Sequence, residues 1–274
     1  MANADIPEPR LTQFKALVFD VYGTLVDWEN GIFTALRPLL ARSPASCDWT
    51  RKEALVAFAS VENDLQAQHP ELLYSELLAE VHRELTKRLG IEDASAEAPV
   101  ARIEQGTSAD ATVDSKSADE HVRFGQSIGR WMPFPDTVDA LQILARHFKL
   151  VVLSNVDKIS FARTQALLTP PEGRSPFSHI ITAQDTGAYK PSHIMLQRAL
   201  ADVKSRWGIE KDEVLVVAQS LFHDHKPANE LGVPNVWIDR VGQVIGQDVD
   251  GVKWIWTFGT LGEMAAAVEA DAKQ

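Results

Sequence analysis

Short apolar runs alternate with helical patterns over most of this chain. Five runs of apolar or β-branched residues, each of strand length, occupy 16–19, 150–153, 180–182, 214–218 and 236–238. Helical patterns separate the later runs, at about 136–147, 159–168, 194–207 and 227–231. Strands that alternate with helices are typical of a parallel sheet, because each parallel connection needs a crossover. The pattern therefore predicts an α/β fold with a Rossmann-like parallel sheet and helices on both faces.

A different pattern fills the long interval between the first two runs. Apolar residues recur at helical spacing in three stretches, at 32–40, 55–65 and 72–85. Asp48 or Thr50 can cap the second helix, and Gly90 can end the third. We therefore expect a helical cap domain at 28–131, inserted into a discontinuous core domain of 1–27 and 132–274.

Residues 94–120 differ from the rest of the chain in composition. They are rich in Ala, Ser, Asp and Glu and nearly free of large apolar side chains. Such a segment buries too little apolar surface to order itself, so we predict a solvated low-complexity loop that folding does not require. A helical pattern returns at 121–131, and Pro133 and Pro135 then exclude helix until about Asp136.

Polar residues follow the predicted strands at the points where those strands end. Asp20 follows the first strand, and Gly23 and Thr24 suit a tight turn directly after it. The later strands are followed by Ser154 and Asn155, by Lys190, and by Gln219, Ser220 and Asp224. Because the carboxyl ends of parallel strands share one edge of the sheet, we expect these side chains to converge there. A lysine at a helix start opposes the helix dipole, so Lys190 should lie near negative charge.

The order of these residues resembles the haloacid dehalogenase (HAD) superfamily from about residue 14 to residue 238. Asp-Val-Tyr-Gly-Thr-Leu at 20–25 resembles the first motif of that superfamily, and Ser154, Lys190 and Asp224 stand at the other three. The resemblance implies that Asp20 is a nucleophile, that Lys190 keeps it ionised, and that Asp224 activates water. It further implies that the substrate contacts are Tyr22, Thr24, Ser154, Asn155 and Ser220.

Two positions distinguish the branches of the superfamily. Phosphatases usually carry a second Asp two residues after the nucleophile, whereas 2-haloacid dehalogenases carry Tyr, and this chain has Tyr22. Phosphatases also carry Asp or Glu where this chain has Gln219, so a Mg²⁺ site of Asp20, Asp224 and Gln219 would be weakened. The resemblance is thus to the type II (S)-2-haloacid dehalogenase-like group, which requires no cofactor. His223 and His225 flank Asp224, and we expect local hydrogen bonds rather than metal binding there.

The chain also departs from the dehalogenase pattern. The helix near 58–62 has no arginine to bind a halide, Leu196 stands where a Tyr is usual, and Leu221 replaces an Asn. Two alternatives therefore stay open: a Mg²⁺-dependent small-molecule phosphatase of the same superfamily, and a non-catalytic protein that keeps the fold.

Composition and charge exclude some classes of binding partner. The 274 residues carry 27 Lys and Arg against 38 Asp and Glu, a net charge of −11, with no basic block, so we expect no nucleic-acid partner. No apolar run approaches the roughly 20 residues of a membrane span, and the N-terminus lacks the pattern of a secretion signal. The single cysteine, Cys47, cannot form an intrachain disulfide. We expect a cytoplasmic protein with a small-molecule substrate and no membrane partner, and a homodimer is one way to bury the apolar surface of the cap.

Overall fold

The computed structural model describes residues 9–92, 120–246 and 249–274. The loop predicted near 94–120 lies outside the described residues, apart from its last residue. The chain divides into two compact units. The first contains the described residues up to Asn30 and from Gly129 onward, and the second contains those within Gly31–Ile128.

The first unit is built on a six-stranded sheet in which every pair of neighbouring strands is parallel. The spatial order is β3-β2-β1-β4-β5-β6. The strands are β1 (Ala16–Phe19), β2 (Lys149–Ser154), β3 (His179–Thr182), β4 (Val214–Ala218), β5 (Asn235–Ile238) and β6 (Trp256–Phe258). The predicted α/β fold is confirmed, and the sheet has one more strand than the five apolar runs predict.

The described residues form ten α-helices. They are α1 (Trp28–Leu40), α2 (Arg51–Gln68), α3 (Tyr74–Arg88), α4 (Glu120–Gly125), α5 (Thr137–Leu144), α6 (Lys158–Leu167), α7 (Ala183–Thr186), α8 (His193–Trp207), α9 (Lys226–Leu231) and α10 (Leu261–Asp271). None of these helices combines the length and the apolar character that a membrane span needs.

Strand β1 lies at the centre of the sheet and is buried on both faces. Val18 pairs with Val151 of β2 on one side and with Val216 of β4 on the other. It belongs to an apolar cluster that includes Met195 and Val203 of α8. Leu17 and Phe19 point to the opposite face and are also fully buried. A continuous apolar run is what a strand covered on both faces requires, which explains why β1 shows no alternation.

The second unit is helical. Thr50 caps α2: its hydroxyl accepts a hydrogen bond from Glu53 N at 3.3 Å, while Glu53 Oε2 accepts one from Thr50 N at 2.8 Å. Helix α3 ends two residues before Gly90, whose φ of +65° is the left-handed conformation that often follows a helix. Contacts between α2 and α3 and between α3 and α4 hold the unit together.

Candidate active site

The turn after β1 fixes the position of Asp20. The Asp20 amide donates to Val217 O at 3.2 Å, and the amides of Leu25 and Val26 both donate back to Val21 O. Gly23 has a φ of +103°, and a Cβ there would lie 2.9 Å from Trp28 Nε1 and 3.2 Å from Gln219 Oε1. Only glycine therefore fits this turn.

Thr24 orients the Asp20 carboxylate. Its hydroxyl donates to Asp20 Oδ2 at 2.7 Å and accepts from the Gln219 amide at 2.9 Å. The side chain is fully buried, so no water competes for these bonds. Thr24 thereby connects the turn after β1 to the turn after β4.

Lys190 joins the two carboxylates. Its ammonium lies 2.6 Å from Asp20 Oδ1 and 2.8 Å from Asp224 Oδ1, and it also donates to Leu153 O at 3.1 Å. These bonds use all three N–H donors of the ammonium. Burial by itself lowers the pKa of Lys190, but the two carboxylates outweigh it and leave the pKa raised. Lys190 is a buried cation, 4% exposed, and it lies beside negative charge, as its position before a helix predicts.

Asp224 lies in a single π-helical turn, Leu221–His225, directly after β4. One of its oxygens bonds to Lys190, and Oδ2 is buried with no hydrogen-bond partner within the described ranges. Burial raises the pKa of Asp224 to about 7, with a further increase from the charge of Asp20, although Lys190 acts in the opposite direction. Asp224 can therefore gain or lose a proton near neutral pH.

Two polar residues at the end of β2, Ser154 and Asn155, differ in their hydrogen bonds. Asn155 Oδ1 accepts from the Lys190 amide at 2.6 Å, and Asn155 Nδ2 donates to the Lys190 carbonyl at 3.1 Å. The sequence predicts Asn155 as a substrate contact, but in the structure it holds the Lys190 peptide in place. Ser154 Oγ is buried and has no partner in the described part of the chain, so it can still bind a ligand.

Tyr22 is turned toward α6. Its hydroxyl lies 2.7 Å from Thr164 Oγ1, and its ring meets Trp131 edge-on at a centroid distance of 6.0 Å. Burial raises the pKa of Tyr22 well above its usual value, so the phenol stays neutral. A neutral phenol that is already hydrogen-bonded is a poor acid. The contacts of Tyr22 are instead those of a packed aromatic ring against Trp131.

The turn after β4 is held by its own side chains. Ser220 Oγ accepts from the His223 amide at 3.1 Å and lies 3.1 Å from His223 Nδ1. Burial, followed by the charge of Lys190, lowers the pKa of His223 to about 4, so this ring is neutral. His225 contacts Ala218 O and Asn235 Oδ1. Both histidines thus make the local hydrogen bonds that the sequence predicts.

The oxygen atoms near Asp20 are poor ligands for Mg²⁺. Both oxygens of Asp20 accept hydrogen bonds already, and Gln219 supplies an amide oxygen where a third carboxylate would be the better ligand. The side-chain nitrogen of Gln219, Nε2, donates to Ile245 O at 3.2 Å. Among the described residues, no cluster of three or more His, Cys, Asp or Glu side chains is placed to hold a metal ion.

One residue of this site was not predicted from the sequence. Arg240 follows β5, is 3% exposed, and donates two hydrogen bonds to the backbone carbonyl of Thr24. It stands where the polar residues of the other strands stand, directly beyond a strand end. The same rule that identified Asp20 and Ser154 could therefore have identified it.

Comparisons with known proteins identify the family and the fold. A family model for haloacid dehalogenase-like hydrolases matches residues 14–224. A search of curated protein sequences returned no match.

Three solved structures have a similar fold. One is a putative HAD-hydrolase, YfnB from Bacillus subtilis, bound to magnesium, at 17% identity and a TM-score of 0.64, covering 95% of this chain and 100% of that chain. Another is a defluorinating L-2-haloacid dehalogenase, at 19% identity and a TM-score of 0.66, covering 96% and 100%. A third is the L-2-haloacid dehalogenase from Xanthobacter autotrophicus with chloropropionic acid covalently bound, at 18% identity and a TM-score of 0.65, covering 93% and 98%.

Proposed function

Because this chain belongs to the haloacid dehalogenase-like hydrolases, we propose that it hydrolyses small 2-haloalkanoic acids through a covalent ester on Asp20. The proposal rests on one observation. The nucleophile position is buried and paired with a cation, and the position two residues later holds Tyr22, whose hydroxyl is bonded to Thr164. A halide leaves as an anion without taking up a proton, so its displacement needs a fixed carboxylate and no acid.

The first step is displacement of halide by the carboxylate. An oxygen of Asp20 attacks C2 of the substrate, the carbon–halogen bond breaks, and an ester and a halide ion form. Thr24 and Lys190 hold the two carboxylate oxygens in a fixed direction, which lowers the entropic cost of the attack. Ser154 Oγ, which is buried without a partner in the described ranges, is a donor available to the substrate carboxylate.

The second step is hydrolysis of the ester. Water attacks the carboxyl carbon of Asp20 and gives one proton to the unpaired oxygen of Asp224, whose raised pKa suits a base near neutral pH. As the ester bond breaks, Asp224 passes that proton to the leaving alkoxide oxygen, the 2-hydroxy acid is released, and the second proton of the water goes to solvent. Lys190 balances the negative charge that develops beside both carboxylates.

A phosphatase reaction would require two further features of the site, a proton donor and a bound Mg²⁺ ion. An alkoxide leaving group needs a proton, and Tyr22 is a poor source of one because its pKa is raised. A phosphoryl group also needs charge neutralisation, for which Asp20, Asp224 and Gln219 would have to hold Mg²⁺ with only two carboxylates. The donor set therefore favours carbon–halogen chemistry over phosphoryl transfer.

A single turnover in ¹⁸O-labelled water tests the proposal. With enzyme in excess over (S)-2-chloropropionate, the lactate released should carry no label, while Asp20 should gain it, because water attacks the carbon of Asp20 and not C2. Peptide mass spectrometry locates the label, and ion chromatography measures the chloride. Parallel assays with p-nitrophenyl phosphate, with Mg²⁺ and with EDTA, measure the alternative.

Label found directly in lactate would contradict the covalent mechanism. Turnover of p-nitrophenyl phosphate alone, dependent on Mg²⁺, would establish the phosphatase instead. If neither substrate class reacts, the non-catalytic alternative is the correct one.

A further inference from the structure

Arg240 is a buried cation for which the proposed chemistry has no direct use. Its Nε and Nη2 atoms donate to the Thr24 carbonyl at 3.1 and 2.9 Å. Nη1 forms an ion pair with Asp136 Oδ1 at 2.7 Å, and the guanidinium lies 4.1 Å from the centre of the Phe134 ring. With 3% of its surface exposed, this arginine is fixed on every side.

The carbonyl that Arg240 holds belongs to the residue that orients Asp20. The Thr24 hydroxyl donates to Asp20 Oδ2, so a shift of the Thr24 backbone moves the donor that sets the carboxylate direction. The next carbonyl along the turn, that of Leu25, accepts from Phe134 N at 3.0 Å and from Thr137 Oγ1 at 3.0 Å. These two bonds do not involve Thr24, but the Thr137 hydroxyl also accepts a longer bond of 3.4 Å from Arg240 Nη2.

We propose that Arg240 is a positioning residue for ester formation, acting on Asp20 through Thr24. This inference rests on the proposed function for its rate effect, but not for its structural effect. A bidentate guanidinium fixes both the position and the tilt of a carbonyl group, which a single ammonium donor cannot do. The fixed carbonyl keeps the Thr24 hydroxyl between Asp20 Oδ2 and the Gln219 amide.

The rate experiment is a double-mutant cycle on ester formation. Ester is measured as added mass on intact protein after mixing with (S)-2-chloropropionate. Arg240→Lys should slow ester formation about tenfold and Arg240→Met about 100-fold, because displacements of about 1 Å have effects of that size. When Thr24 is already replaced by Val, Arg240→Lys should have no additional effect on the rate, because the path to Asp20 is gone.

The structural experiment needs no substrate. The Gln219 amide donates to Thr24 Oγ1, so its hydrogen exchange reports where that hydroxyl lies. Exchange at Gln219 should become about tenfold faster in both Arg240 variants, relative to the Val216 amide of the preceding strand β4, which donates to Pro234 O. Thr86→Val is the matched control: it removes a buried hydroxyl that donates to His82 O at 2.8 Å within α3, and both the ester rate and Gln219 exchange should stay near wild type.

Two results would overturn the inference. One is unchanged relative exchange at Gln219 in the Arg240 variants, and the other is rate losses that simply add in the Thr24→Val background. If wild-type protein forms no ester, the proposed function fails, and the exchange measurement still decides whether Arg240 positions Thr24.

Discussion

The turns after β1 and β4 each present one carboxylate to Lys190, but they hold it differently. After β1, both oxygens of Asp20 are bonded, one to Lys190 and one to Thr24. After β4, Asp224 shares only Oδ1 with Lys190, and Oδ2 is buried with no partner in the described ranges. The two acids are about equally buried, so solvent exposure does not distinguish them.

The difference lies in what each turn allows its carboxylate to do. Two donors on Asp20 fix the direction of its carboxylate, as a nucleophile would require. An unpaired oxygen and a pKa raised to about 7 let Asp224 exchange a proton, as a base requires. One cation therefore contacts two carboxylates with different surroundings, and this difference supports the separate roles that we propose for them.

The largest effects should come from replacing each acid by its amide. Asp20→Asn should reduce halide release by roughly 10⁴-fold or more, because the nucleophile is lost. Asp224→Asn should release one equivalent of halide and then stop, leaving an ester on Asp20, because only hydrolysis needs the base. Halide quantification together with intact-protein mass measures both outcomes.

Asp157→Asn is the control for these variants. Asp157 is also a buried acid of the first unit, but it caps α6 by accepting from Ser160 N at 2.8 Å. Asparagine can cap a helix as well, so halide release should stay near wild type. If Asp224→Asn lost halide release as completely as Asp20→Asn, without an ester, the division of roles between the two turns would be wrong.

The fold could be predicted because its strands are buried on both faces. Short continuous apolar runs such as 16–19 and 214–218 are typical of a strand covered on both faces, and each is followed by a polar residue. Strand β6 was not predicted because it is three residues long and because its residues are partly buried or exposed. A run of that length carries too little pattern to identify a strand.

The hydrogen-bond partners and pKa values of the site residues were harder to predict from the sequence than the fold. The positions of Asp20, Lys190 and Asp224 follow from strand ends, but the partner of each polar atom depends on side-chain directions in three dimensions. Asn155 illustrates this: its place predicts a substrate contact, and only the structure shows both its amide atoms on the Lys190 backbone. The raised pKa of Asp224 depends on burial and on the nearby charge of Asp20, which the spacing along the chain does not encode.

The pH dependence of the two steps gives a smaller but sharper contrast. Below its pKa, Asp224 is protonated and cannot accept a proton from water. In the ester, burial still raises that pKa but the charge of Asp20 no longer adds to it, so it should lie below the value of about 7 found beside the Asp20 carboxylate. Ester hydrolysis should therefore fall roughly tenfold for each pH unit below the pKa and level off above it. Ester formation needs no base, and Lys190 keeps its charge because its pKa is raised, so this step should change much less over the same range.

Rapid mixing with quench and mass analysis separates the two rates at each pH. The ester should be a minor species above pH 8 and the dominant one near pH 5. A hydrolysis rate that stays flat from pH 5 to 8 would contradict the role of Asp224 as the base. The Asp157→Asn variant should reproduce the wild-type profile.

The smallest effect concerns Tyr22, which belongs to the turn after β1 but takes no part in holding Asp20. Its hydroxyl bonds to Thr164, and its pKa is raised well above the usual value, so it should not donate a proton in either step. Tyr22→Phe keeps the packed aromatic ring against Trp131 and removes only the hydroxyl. We expect the rate of halide release to stay within about threefold of wild type, whereas loss of an acid would cost about 100-fold or more.

Loss of the hydrogen bond between Tyr22 and Thr164 should change the free energy of unfolding more clearly than the rate of halide release. Thr164→Val leaves the Tyr22 hydroxyl without its partner and should destabilise the fold by about 1–3 kcal/mol, while Tyr22→Phe should cost less, because Thr164 Oγ1 can still donate to Ser160 O. Urea unfolding of the two variants and of the double variant measures the coupling between them. A large loss of halide release in Tyr22→Phe with a small loss of stability would make Tyr22 an acid, and the site would then resemble one built for a leaving group that needs a proton.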